Sequence, residues 1–103
     1  MQIKWSEHAR RDLDAILEQG TRLFGEQTAL RFFQQLEKQI TLLLHNPYMG
    51  KREFMQKNFH KEFRSIVVHQ HYKLVYFIDK EQIRIVSLFD TRRNPASLTN
   101  YLH

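Results

Sequence analysis

Arg64, Lys73, Arg92 and Arg93 are the residues of this chain best placed to do chemistry. Arg64 and Lys73 fall in two successive strand-like runs, and the arginine pair follows a third. Antiparallel pairing across a short turn brings positions 64 and 73 within a few strand spacings of one another. Cations gathered in this way neutralise phosphate or stabilise charge developing on a phosphoryl group. A plainer alternative, a solvated sheet edge with scattered cations, accounts for the same residues. Lys57, His60 and Lys61, together with Lys51 and Arg52, carry the basic character into the preceding loop.

Proton transfer needs a titratable partner for such cations. Six histidines (His8, His45, His60, His69, His71 and His103) supply imidazoles that titrate near neutrality. His69 and His71 flank a turn, and no carboxylate cluster or helical pair of histidines accompanies them, so no metal is expected. Tyr72, Tyr76 and Tyr101 offer phenols as acid, base or stacking surface, although Tyr76 lies inside an apolar run and reads as core. Asp90 beside the arginine pair reads as the holder of one of them. The sequence has no glycine-rich phosphate loop and no hydrolase-type serine motif, and no cofactor is expected.

The charge is unevenly placed. Residues 1–50 carry six Lys/Arg against six Asp/Glu, whereas residues 51–103 carry ten against five, so the net +5 lies in the second half. A neutral half joined to a basic one suits an anionic partner: RNA, DNA or an acidic protein. The chain is 42% hydrophobic with three Gly and two Pro, which predicts one globular domain over residues 1–103. It has no cysteine, which removes disulfides and thiol chemistry. Its first residues reach charge at once, without the apolar stretch of a secretory signal, and no run is long enough to span a bilayer. A cytoplasmic location without a membrane partner is expected.

The elements that must position these residues are legible from periodicity. Gln2–Trp5 alternates polar and apolar residues and predicts a short strand. Ser6 stands where an N-cap belongs. Ala9, Leu13, Ile16, Leu23 and Phe24 then recur at helical spacing, with a kink or early end expected at Gly20 and a break at Gly25 in a left-handed C-cap. A second helix, from about Glu26 to His45, carries Ala29, Phe32, Phe33, Leu36, Ile40, Leu43 and Leu44 on one stripe and stops at Asn46-Pro47. So short a joint folds the two helices into a hairpin. Tyr48-Met49-Gly50 opens a loop. Three strands follow at roughly 61–69, 72–79 and 82–90, antiparallel because the joints between them are too short for a crossover helix. Leu74–Ile78 is continuously apolar, as a central strand covered on both faces should be. Asn94-Pro95 starts a short C-terminal helix running to Leu102.

This order of elements resembles the RelE/ParE superfamily of bacterial type II toxin–antitoxin toxins. Trp5-Ser6-x-x-Ala9-x-x-Asp12-Leu13-x-x-Ile16 is similar to the family's first helix. Phe24-Gly25-x-x-x-Ala29-x-x-Phe32, then Leu36, Ile40, Leu43 and Pro47-x-x-Gly50, resemble its second helix and exit loop. Phe63-Arg64 and Tyr72-Lys73-Leu74-Val75-Tyr76 resemble the central sheet, and Phe89-Asp90-Thr91-Arg92-Arg93-Asn94-Pro95 the closing segment. The fold implied is α+β: an N-terminal strand and a helical hairpin packed on a mainly antiparallel β-sheet, with a short C-terminal helix.

The resemblance implies a basic toxin held inactive by an acidic antitoxin that wraps it with a helix or strand. Its long hairpin and Phe-Gly joint are closer to ParE-like members, which poison DNA gyrase, so a toxin that binds an essential target is the first expectation. The alternative is a RelE-like endoribonuclease that cuts mRNA on the ribosome, with Arg64, Lys73 and Arg92 as phosphate clamp and transition-state stabiliser. That family's C-terminal tyrosine falls near Leu98; Tyr101 is the nearest phenol, and His60 is a further candidate for moving protons. In either case Lys57, Lys61, Arg64, Lys73, Arg92 and Arg93 are the expected target- or nucleic-acid-binding residues. A third alternative is a non-toxic module that retains only antitoxin binding.

Overall fold

The computed structural model describes residues 1–53 and 61–93. In chain order the elements are β1 (Gln2–Trp5), α1 (Glu7–Phe24), α2 (Glu26–His45), β2 (Lys51–Arg52), β3 (Arg64–His69), β4 (Tyr72–Asp79) and β5 (Gln82–Asp90). The sheet order is β1-β5-β4-β3-β2. β1 runs parallel to β5, and the other neighbours are antiparallel. The chain therefore starts at one edge and crosses the sheet as a helical hairpin. It then re-enters at the far edge and meanders back until β5 meets β1.

Local chemistry sets the helix boundaries. Ser6 Oγ accepts from Ala9 N at 3.0 Å, capping α1, and Ser6 N donates to Ile85 O at 2.9 Å, so the cap also ties helix to sheet. Gly20 does not end α1, which runs on to Phe24. Gly25 makes the break with φ 92° and ψ 164°. That is a positive-φ conformation nearly confined to glycine, rather than the left-handed cap the sequence suggested. Nothing lies within 4 Å of where its Cβ would stand, so the demand for glycine there is conformational alone.

The helices and sheet enclose the main core. Ala9, Phe32, Leu36 and Leu43 pack on Ile66, Val68, Leu74, Tyr76, Ile83, Ile85 and Leu88. A second cluster, Phe63, Val75, Phe77 and Phe89 with Val86, lies apart from it. β4 contributes to both, as its unbroken apolar run predicts. Asp12 joins α1 to β5 beyond the end of β1. Its Oδ2 accepts from Leu88 N at 3.1 Å and Ser87 Oγ at 3.2 Å, occupying a stretch of strand edge that β1 is too short to pair.

Three expectations are corrected. Leu23 and Phe24 continue the apolar stripe of α1, yet stand 58% and 70% exposed because the hairpin tip receives no cover from the sheet. The strand expected from residue 61 begins at Arg64. The segment after Gly50 is not wholly loop: Lys51 and Arg52 pair with Ser65 and Arg64 as the edge strand β2. The C-terminal helix expected after Asn94-Pro95, and with it Leu98 and Tyr101, lies outside the described residues, as do Lys57 and His60.

Candidate functional site

The loop leaving α2 is fastened to the sheet by two side chains. Arg64 Nη1 donates to Gly50 O at 2.8 Å and Tyr48 O at 3.2 Å, while Nη2 meets Glu62 Oε1 at 3.0 Å. Its guanidinium also sits 5.4 Å from the centre of the Tyr48 ring. Tyr76 Oη donates to Pro47 O at 2.7 Å and accepts from Gly50 N at 3.0 Å. Burial pushes the Tyr76 phenol above its usual pKa, against the opposing pull of the Gly50 amide and the Arg64 charge. Gly50 is required by space: a Cβ would stand 2.5 Å from the Tyr76 hydroxyl. Arg64 thus spends its donors on backbone carbonyls and on a carboxylate that Arg52 Nε shares at 2.8 Å.

Lys73 lies elsewhere. Its Nζ is 2.5 Å from Glu53 Oε1, which also accepts from Ser65 Oγ at 2.6 Å. The ammonium stands 5.7 Å from the centre of the Phe89 ring, its register partner's side chain. Both ends of the Lys73–Glu53 pair are only 20% exposed. Nearby on the chain, Lys61 Nζ is 4.6 Å from the Phe77 ring centre.

The arginine pair closes β5. Arg92 is held by Asp90 through Nε at 3.0 Å, Nη2 at 2.8 Å and its backbone N at 2.9 Å. These bonds keep the Asp90 carboxyl below its ordinary pKa, and the same bonds raise that of Arg92. Tyr72 lies close enough to add to the effect on Arg92. Arg93 contributes a weaker electrostatic pull on Asp12, whose carboxyl burial pushes upward. The reading of Asp90 as the holder of one arginine is met, and Arg92 is the one held.

The cations expected to act together are therefore distributed. Lys73, Tyr72, Asp90 and Arg92 share one end of the sheet through the pairs Tyr72–Asp90 and Lys73–Phe89. Arg64 is opposite Tyr76, three residues beyond Lys73 along β4, and is occupied with the loop. His69 packs edge-on against Phe32 at 5.6 Å, and the His71 carbonyl accepts from Thr91 N at 2.7 Å. Neither imidazole has a metal-binding set around it among the described residues.

Glu53 is the residue that sequence reasoning missed. The available signal was faint: it is the one carboxylate between Lys51 and Lys61. A two-residue strand is too short to show the alternation that would have aimed it at the sheet. Two apolar surfaces complete the picture. The hairpin tip presents Leu23, Phe24 and Leu30. A groove of about 430 Å³ between the helices and β1 is lined by Trp5, Leu13, Phe33 and Ile40, with Arg10 and Glu37 among its polar residues.

The sequence matches the family described as the ParE toxin of type II toxin–antitoxin systems, parDE, over residues 3–95. None of the curated proteins matches it. Among solved structures, the chromosomal ParDE system of P. aeruginosa superposes with a TM-score of 0.70 and 22% identity, over 87% of this chain and 95% of that one. The YoeB dimer of Staphylococcus aureus gives 0.60 at 20% identity, covering 85% and 93%. The E. coli DinJ–YafQ complex gives 0.60 at 17% identity, covering 88% and 93%. At these identities the likeness to solved structures speaks for the fold.

Proposed function

Because this chain belongs to the ParE toxin family of type II toxin–antitoxin systems, within the RelE/ParE superfamily, we propose that it arrests bacterial growth by binding DNA gyrase in the cytoplasm. Residues 1–103 act as one toxin unit, and a cognate acidic antitoxin neutralises it. One observation carries the preference for binding over cleavage. Arg64, Lys73 and Arg92 do not converge, and each is already matched to a carboxylate, respectively Glu62, Glu53 and Asp90. A phosphodiester clamp needs cations aimed at one point and free to receive charge. The exposed Leu23 and Phe24 of the hairpin tip add a surface of the kind that anchors protein interfaces. For the antitoxin, the apolar groove and the basic second half offer complementary ground to an acidic amphipathic partner.

Pulse-labelling of DNA and protein synthesis shortly after induced expression tests this. DNA synthesis is expected to fall first while translation continues. An early fall in translation overturns the gyrase assignment. Harmless overexpression indicates a module that only binds antitoxin.

A ribosome-dependent endoribonuclease is the second reading, and the Glu53–Lys73 contact is the observation in its favour. It places a carboxylate able to move protons beside a cation able to stabilise phosphorane charge. Under that reading Lys73→Ala and Glu53→Gln each abolish mRNA cleavage on stalled ribosomes, and retained cleavage by either rejects it.

A further inference from the structure

We propose that Lys73 and Ser65 form a carboxylate-receiving site on the sheet, that Glu53 is its internal occupant, and that an acidic stretch of the partner protein binds by displacing Glu53. This rests on the antitoxin reading above and locates where its negative charge is received.

The site is already seen holding a carboxylate. An ammonium at 2.5 Å and a hydroxyl at 2.6 Å converge on the single oxygen Oε1 of Glu53. With only 20% of either charged side chain exposed, the attraction is less screened than at an open surface. The Phe89 ring lies beside the ammonium.

The surroundings favour a polypeptide. Val67 is the register partner of Lys73 and therefore shares its face. It is 67% exposed, whereas Phe89, the partner of Lys73 on the other side, is buried. β2 pairs with β3 only at Arg64 and Ser65, so among the described residues no strand continues along the outer side of Ile66–His69. An extended peptide can add its backbone there while one acidic side chain reaches Lys73. A nucleic acid finds less: a run of phosphates calls for several uncommitted cations, whereas Arg64 is spent on the Gly50 loop and Arg92 on Asp90.

Occupation by Glu53 must then weaken partner binding, because the binding-competent form is only the fraction in which Lys73 has been released. Removing the internal charge should tighten binding, and removing Lys73 should abolish the benefit. The Glu53 backbone is held separately, its N donating to Phe63 O at 2.9 Å, so exchange of the side chain leaves the edge pairing in place.

The test measures fluorescence anisotropy of a labelled poly-L-glutamate peptide with the full chain and four variants: Glu53→Gln, Lys73→Met, Lys73→Arg and the Glu53→Gln/Lys73→Met double. Thermal unfolding of each confirms the fold. Glu53→Gln should bind about fivefold tighter, Lys73→Met should bind more weakly, and Lys73→Arg should retain binding. In the Lys73→Met background, Glu53→Gln should no longer matter. Unchanged or weaker binding by Glu53→Gln overturns the proposal, as does failure of every variant to bind. A labelled single-stranded RNA that binds more tightly than the peptide, with the same response to the variants, reassigns the site to phosphate and also overturns it. Growth arrest by each variant is scored separately, so the site can fail while the toxin reading stands.

Discussion

Arg64 and Lys73 lie on adjacent paired strands yet leave opposite faces of the sheet. Arg64 is opposite Tyr76, whose ring belongs to the helix-side core, and it reaches the Gly50 loop. Lys73 is opposite Phe89, a member of the second cluster, and it reaches Glu53. Side chains alternate faces with a period of two, so cations on neighbouring strands converge only when their register agrees.

Arg64 is consequently expected to act on stability more than on the target. Its planar fork serves two carbonyls and a carboxylate at once, which the single ammonium of lysine cannot reproduce. Arg64→Ala should cost about 2–3 kcal/mol in urea unfolding, the scale of lost bonds to a charged group. Arg64→Lys should recover only part of that. Growth arrest at matched folded concentration should persist in both.

Tyr76 holds the other side of the same loop, and its hydroxyl is hard to replace. Tyr76→Phe leaves the Gly50 amide and the Pro47 carbonyl without their partner, at a cost of about 1–3 kcal/mol. The pH dependence follows from the raised phenol pKa. Above the usual value of about 10, the unfolded chain loses this proton while the folded protein still keeps it. The folded state then binds more protons, and stability falls as pH rises from there through the folded pKa. Wild type should lose stability more steeply than Tyr76→Phe across that window, measured by urea unfolding at stepped alkaline pH.

Phe24 offers a contrasting case, because its 70% exposure leaves little packing to lose. Phe24→Ser should change unfolding free energy by less than about 0.5 kcal/mol. If the hairpin tip contacts the target, the same change should weaken inhibition of purified gyrase supercoiling severalfold. Unaltered inhibition would move the contact surface away from the tip.

The helices and the meander were legible in the sequence because long periodic runs fix both element type and face: Phe32, Leu36 and Leu43 lie where their spacing put them. What escaped reading was set by partners distant in sequence. β2 has two residues and exists because Ser65 and Arg64 pair with it. Leu23 and Phe24 follow the helical stripe faithfully, but whether a stripe is covered depends on how far the sheet extends beneath it. The cations were legible by type and not by grouping. Arg64 pairs with Tyr76, three residues from Lys73 in an unbroken register, and that odd offset, fixed by the turn joining the strands, sends the two cations to opposite faces.

Asp12 supplies the last prediction, and its direction is unusual for a carboxylate making several hydrogen bonds. Burial raises its pKa more than the Leu88 amide, the His8 imidazole, the Ser87 hydroxyl and Arg93 together lower it. His8 Nε2 lies 3.2 Å from the carboxylate, one turn back on the same helix. From the unfolded value of about 3.9 up to the raised folded value, the folded state holds the extra proton, so stability declines as pH increases through that interval. An asparagine keeps an oxygen for the Leu88 amide and removes the buried charge. Asp12→Asn should therefore cost little at neutral pH and lack this acid-side decline. Asp12→Ala strands the Leu88 N–H at the strand edge and should cost about 1–3 kcal/mol. Urea unfolding of the three proteins from pH 4 to pH 7 reads both effects, and a wild type whose stability rises relative to Asp12→Asn across that range would contradict the assignment.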